Sequence, residues 1–164
     1  GSEMCIRDRV KLIIAPHVID ENHLVEIIRK LKRPYVRYTR ANEKNVRKAD
    51  CLIIDCFGLL SSIYRYGEIA YIGGGFGVGI HNTLEAAVYG IPVIFGPKYQ
   101  KFQEAIQLLE TKGAFSVKDY EELKTLLDRM LTDEVFLRES GMNASNYVTS
   151  NAGATDKIMS MINF

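Results

Sequence analysis

The 164 residues carry 21 Lys and Arg against 20 Asp and Glu, for a formal net charge of +1. That balance argues against general nucleic-acid binding, which calls for a strongly basic face, while 47% hydrophobic residues suffice for the core of one ordinary domain. The apolar runs fall short of the roughly 18 residues needed to cross a bilayer, and the opening residues do not read as a secretory signal.

Residues 1–9 (G-S-E-M-C-I-R-D-R) do not join the pattern that follows. Gly1-Ser2 reads as an expression scar and the chain as a fragment of something longer, with residues 10–164 as a single domain. Val10 to Ala15 is a continuous apolar run, expected to be a strand buried on both faces of a parallel sheet. Pro16-His17 ends it. Asp20 can cap a helix over 21–32, with Leu24, Ile27, Ile28 and Leu31 at helical spacing and Pro34 as its stop. Tyr35 to Thr39 alternates and reads as a strand near a sheet edge, and 41–50 is charged enough to read as a loop. Cys51 to Asp55 is a second buried strand, followed by a turn at Phe57-Gly58 and a short helix over 59–66.

Ile69 to Ile72 is the next strand, and it stops at Gly73, Gly74 and Gly75. Gly77 and Gly79 follow, and Asn82-Thr83 opens an Ala-rich helix over 83–89 with Gly90 at its C-cap. Pro92 to Phe95 is a strand, 102–112 a helix with Gly113 as its cap, and Ala114 to Val117 a strand. Asp119 and Glu122 form a capping box for a helix to about Leu131. Helices over 133–150 and 155–163 close the chain. Strands alternating with helices predict an α/β fold: a Rossmann-like, doubly wound parallel sheet of about six strands with closing C-terminal helices.

In such sheets ligands sit beyond the C-terminal strand ends, which here are the loops at Pro16-His17, 56–59, 73–82 and 96–101. The glycine loop lacks both G-x-G-x-x-G and the Walker spacing, so dinucleotide and P-loop readings are disfavoured. A glycine loop feeding a helix N-terminus still suits one or two phosphate groups. Glu85, early in that helix, can complement the dipole or accept from the two hydroxyls of a ribose. His81 can donate to a phosphate or sugar, or simply pack and cap. Phe57, Gly58 and Leu59 can read a base edge or pack as hydrophobics, and Lys98 can face an anionic sugar or only solvent. Cys5, Cys51 and Cys56 have no ligand partners at metal spacing and read as core or free thiols. No nucleophile–base pair and no metal cluster stands out, so no cofactor or metal is expected. The pattern suits binding and polarising a leaving group.

The run G-G-G-F…G-I-H-N-T-L-E-A-A-V-Y-G-I-P-V-I-F-G-P-K…F-Q-E-A resembles the donor-binding half of the Kdo (3-deoxy-D-manno-octulosonic acid) transferases. That family shows G-G-[ST]-F, G-H-N-x-L-E-P-A and G-x-P-V-x-x-G-P. L-I-I-A-P-H and L-I-I-D-C-F-G-L-L are similar to its A-P-R-H and V-D-T-M-G-E-L segments. The resemblance implies the C-terminal half of a GT-B glycosyltransferase, inverting and metal-independent, with CMP-Kdo as donor and a lipid A precursor as acceptor. It implies that the Gly73–Gly75 and Asn82–Thr83 backbone holds the CMP phosphate, Glu85 the ribose and Phe57–Leu59 the cytosine, with Phe76 also among the donor-binding residues. His17 stands where the family has Arg-His, and Ala86 where it has Pro. The general base, the acceptor surface and the membrane contact belong by the same resemblance to an N-terminal half. The whole enzyme would then lie at the cytoplasmic face of the bacterial inner membrane, and this fragment would be soluble and inactive alone. The other readings are a GT-B enzyme using a UDP-sugar and a non-catalytic nucleotide-binding module.

Overall fold

The computed structural model describes residues 10–153; the helix expected over 155–163 lies outside them. In order come β1 (Leu12–Ile14), α1 (Glu21–Lys30), β2 (Tyr35–Arg37), α2 (Glu43–Val46), β3 (Cys51–Ile53) and α3 (Leu60–Ile63). Then follow β4 (Ala70–Ile72), α4 (Leu84–Ala87), β5 (Val93–Phe95), α5 (Gln103–Glu110), β6 (Ala114–Ser116), α6 (Tyr120–Thr132) and α7 (Glu134–Asn151). All six strands pair in parallel, as the alternation predicts, in two three-stranded ladders ordered β1-β3-β2 and β4-β5-β6. The described residues divide into two compact units, 10–63 and 64–153.

In the first unit, α1 starts where Asp20 accepts hydrogen bonds from the Asn22 and His23 amides, so the expected cap forms. Leu24 is buried with Cys51 and Ile53, and Ile14, Ile27, Ile28 and Leu31 pack around them. The expectation that β1 is buried on both faces is corrected: Leu12 is 41% and Ile13 37% exposed. The reason is that β1 is an edge strand of its ladder, so its apolar run has a neighbour on one side only. β2 is an edge strand, as its alternation suggests. The loop expected over 41–50 contains the short helix α2, capped reciprocally by Asn42 and Asn45. A capping box of two asparagines lies outside the Ser/Thr…Glu/Gln pattern, and the charged composition hid it.

The second unit shows the doubly wound layering. Along β5, Val93, Ile94 and Phe95 are all 0% exposed. Val93 and Phe95 face one core with Ala86, Ala87, Ala105, Leu108 and Ala144, from α4, α5 and α7. Ile94 faces the opposite core with Val117 and Met130, against which Leu123, Leu126, Leu127 and Phe136 pack. Helices therefore cover both faces of this ladder, which is why its central strand reads as an unbroken apolar run. Asp119 caps α6 by accepting from the Glu122 amide at 2.9 Å, while Glu122 reaches back to the Lys118 amide, one residue before the position a capping box would use.

Small residues set how closely α7 packs. Gly90 takes φ +71 after α4 and a Cβ on Gly141 would stand 2.1 Å from its carbonyl oxygen. Gly113 was expected as the C-cap of α5, but Lys112 takes the left-handed conformation with φ 59. A Cβ on Gly113 would lie 2.7 Å from the Ala144 backbone, so that glycine serves packing instead. Gly141→Ala is therefore expected to lower stability by about 1–3 kcal/mol through overpacking against rigid backbone. Met142→Ala, at a position 54% exposed, should stay within about 0.5 kcal/mol; urea midpoints of the two variants check the contrast.

Candidate functional site

The glycine loop of the second unit is closed by its own backbone. Its Gly74 carbonyl accepts from the Gly77 amide at 2.8 Å and the Gly79 amide at 3.3 Å, and the Gly73 carbonyl accepts from the His81 amide at 3.3 Å. Gly74 has φ +88, and a Cβ there would sit 2.2 Å from the Gly79 oxygen. A Cβ on Gly75 would stand 2.5 Å from the Gly96 nitrogen, and one on Gly96 would meet the Phe76 ring at 2.8 Å. The Lys98 amide donates to the Gly75 carbonyl at 3.0 Å, which ties the loop after β5 to the glycine loop. Phe102, the aromatic a few residues past Gly-Pro, packs on Gly79: its ring lies 3.0 Å from where a Cβ would be.

These contacts separate glycines that the loop needs for its own closure from those it does not. A Cβ on Gly73 would meet nothing nearer than the His81 ring, at 3.9 Å, and one on Gly77 nothing nearer than 3.5 Å. Gly73 stands at the C-terminal end of β4, beside the exposed His81 and Asn82. It leaves room there that the fold itself does not use. The Asn82 side chain caps α4 by accepting from the Leu84 amide at 3.0 Å and donates to the Glu85 carboxylate at 3.1 Å. That contact holds Glu85 beside the loop. The structure thus brings Gly73, Gly74, Gly75, Phe76, His81, Asn82, Thr83, Glu85 and Lys98 into one loop system.

Two readings of this segment change. The helix α4 spans Leu84–Ala87, about one turn, so its macrodipole is small and attraction for an anion rests on local N–H groups. The Thr83 hydroxyl is buried, the residue being 1% exposed, and has no hydrogen-bond partner among the described residues. Burying it so costs about 1–3 kcal/mol. Tyr64 is a residue that sequence reasoning missed: its phenol is raised by burial first and by the Glu85 charge second. No spacing rule links a tyrosine to a carboxylate 21 positions on, so the chain carried no signal for it.

In the first unit, β1 and β3 are in register with Ile14 opposite Ile53. His17 and the Phe57–Leu59 loop therefore emerge at the same edge of that ladder. His17, Phe57 and Gly58 are exposed and Leu59 is half-buried; Phe57 is 79% exposed, so packing into the core does not account for it. Gly58 takes φ +85. Just ahead of this loop is Asp55, whose side chain is 1% exposed. It accepts from the Thr39 amide at 2.9 Å, the Thr39 hydroxyl at 2.6 Å and Arg37 Nε at 2.8 Å. Arg37 Nη1 also reaches both oxygens of Glu21, at 2.8 and 3.0 Å. Burial raises the Asp55 carboxyl, but the Thr39 and Arg37 bonds outweigh it and bring its pKa to about 2. Cys51 is a buried free thiol pushed up to about 11 by desolvation, and Cys56 is free and half-buried. Among the described residues no group of three or more His, Cys, Asp or Glu could hold a metal ion, and no helix is long and apolar enough to cross a membrane.

Two outcomes follow from these geometries. Gly74→Ala should cost about 1–3 kcal/mol, from left-handed strain and the clash with Gly79, whereas Gly73→Ala should leave thermal stability level or raised by up to about 1 kcal/mol. Asp55 has a folded-state pKa below its unfolded value, so its stabilisation is complete above pH 3.8 and is lost as pH falls toward about 2. An acid titration of stability should show that loss, and Asp55→Asn should remove it.

No protein-family model matches the chain. It is 38% identical over 125 residues to the 3-deoxy-D-manno-octulosonic acid transferase of Aquifex aeolicus, covering 75% of this chain and 34% of that one. It is 32% identical over 124 residues to the transferase of the same name from Rickettsia felis, covering 74% of this chain and 27% of that one. Among solved structures it matches the C-terminal CMP-Kdo binding domain of WaaA from Acinetobacter baumannii with a TM-score of 0.74 and 18% identity, covering 89% of this chain and 78% of that one. That likeness confirms the α/β fold expected for the C-terminal part of a GT-B enzyme. The chain is a relative of the 3-deoxy-D-manno-octulosonic acid transferases and spans about a third of their length.

Proposed function

We propose that this chain is the donor-binding domain, residues 10–164, of a Kdo transferase, and that it binds CMP-Kdo. The observation that supports the proposal is the open space at Gly73, which no internal contact requires, inside a run that resembles the transferase motif. A glycine without a packing duty beside exposed His81 and Asn82 is what close approach of a phosphate to the backbone needs. In the second unit, the amides of Gly73–Gly75, Phe76 and Asn82–Thr83 take the CMP phosphate. Glu85, steadied by Asn82, takes the ribose hydroxyls, and His81 and Lys98 supply donors to the phosphate and the Kdo carboxylate. In the first unit, Phe57, Gly58 and Leu59 read the cytosine edge and His17 contributes a donor contact.

Within the whole enzyme, transfer begins when a carboxylate outside the matched third removes the proton of the acceptor hydroxyl. That oxygen bonds to the anomeric carbon of Kdo, and the bond from that carbon to the CMP phosphate oxygen breaks. The chain's own task is to hold the departing phosphate as its charge develops. One well-aimed amide at such a position lowers the barrier by about 3 kcal/mol, and the general base accelerates transfer roughly 10²–10⁴-fold. The acceptor is a lipid A precursor, met at the cytoplasmic face of the inner membrane through the other half of the enzyme. This domain by itself binds donor and transfers nothing.

Titration calorimetry with CMP, UMP and UDP tests the assignment. CMP should bind tightest, and Gly73→Ala should weaken it about tenfold without loss of thermal stability. Glu85→Gln should weaken CMP and leave inorganic phosphate unaffected. Tighter binding of UDP than of CMP would point instead to a UDP-sugar enzyme and sink the Kdo assignment.

A further inference from the structure

The cluster formed by Glu21, Arg37, Thr39 and Asp55 has no part in the contacts proposed above. It joins the N-terminus of α1, the last residue of β2, the second residue after β2 and the second residue after β3, all at the ladder edge where the Phe57–Leu59 loop begins. The far end of the same loop is also pinned. The Leu59 carbonyl accepts from the Ser62 amide at 3.1 Å, the Ile63 amide at 3.0 Å and the Ser62 hydroxyl at 3.0 Å. Between these anchors lie only Cys56, Phe57 and Gly58, with Gly58 at φ +85 and Phe57 largely exposed.

We propose that Asp55 is a positioning residue: its three-donor clamp preforms the Phe57–Leu59 loop, and through that loop it sets preference for the base of the nucleotide. The inference rests on the reading of this loop as the base-recognition segment. A buried ion pair is weak evidence of a stability role, because apolar residues of like volume often serve stability as well. What this one supplies is geometry. Both carboxylate oxygens are occupied, so the backbone at Asp55 has one orientation, and the chain leaves β3 in a fixed direction. Arg37 is itself oriented by Glu21, so the guanidinium cannot swing away and release Asp55.

Asp55→Asn keeps the shape and the contact with the Thr39 amide, but turns an amide N–H₂ toward Arg37 Nε, donor against donor. Nitrogen-15 relaxation of the whole chain reads the consequence without any ligand. Order parameters at Phe57, Gly58 and Leu59 should fall from the rigid range near about 0.85 to below about 0.6, with Leu24 and Ile27 in α1 unchanged. Binding should lose its CMP-over-UMP preference by about tenfold while affinity for inorganic phosphate holds. Thr39→Val, which removes one donor and keeps the charge pair, should give a smaller change of the same kind, and Thr39→Ser should restore wild-type behaviour. An unmoved loop in Asp55→Asn, or equal weakening of CMP and UMP, overturns the positioning role. If Asp55→Asn fails to fold, Thr39→Val decides on the same two readouts. A wild-type chain with no CMP preference refutes the base-recognition reading and the specificity step with it, while the order parameters still decide whether Asp55 anchors the loop.

Discussion

The second unit depends on the close approach of two backbones, Gly75 and Gly96, where a single Cβ would fall within 2.5 Å of main-chain nitrogen. Strands β4 and β5 are neighbours in the ladder, and their parallel pairing brings the loops that follow them to the same edge. Only residues without side chains let those loops touch main chain to main chain. Once they touch, the Lys98 amide reaches the Gly75 carbonyl, and Phe76 and Phe102 close over Gly96 and Gly79. A loop of this length would otherwise sample many conformations, and ordering it costs roughly 1–2 kcal/mol per residue. The internal hydrogen bonds and ring contacts offset that cost during folding, so a ligand does not have to.

Rigidity of this kind suits the leaving-group role proposed for the loop. Amides that are already oriented need no reorganisation when charge develops on a phosphate. The short α4 limits what the helix dipole can contribute, so in the proposed phosphate role the electrostatics would rest on the local amides. Glu85 adds a negative charge beside this loop, and its contact with Asn82 keeps that charge in one place.

The first unit reaches the same end by a different means. It has few glycines at its strand ends and uses charge instead, with Asp55 gathering Thr39 and Arg37 and Arg37 gathering Glu21. The carboxylate is ionised well below neutral pH, so the clamp is intact across the physiological range. Such a cluster withstands the exposure of nearby Phe57 because its strength comes from directed hydrogen bonds at a buried oxygen pair, not from apolar contact.

Much of this was legible along the chain. Apolar runs of strand length, Asp20 and Asp119 as caps, Gly90 after an Ala-rich turn and the order of alternating elements are local features, decided by backbone sterics and by residues within a turn of each other. The motif from Gly73 to Lys98 and its kinship with the transferases were legible for the same reason, since spacing within a loop is a property of sequence. What the chain could not convey was contact between residues far apart in it. The exposure of Leu12 and Ile13 follows from the place of β1 at a ladder edge. The left-handed turn falls at Lys112, and Gly113 lies close against Ala144. Which of the loop glycines serve packing, and which do not, was decided by Gly79, Gly96 and Phe102. The partners of Asp55 sit 16 and 18 positions away. Sequence by itself determined the elements and the motif, because these are short-range; tertiary structure alone decided which residues are spent on holding the fold and which stay exposed at its loops.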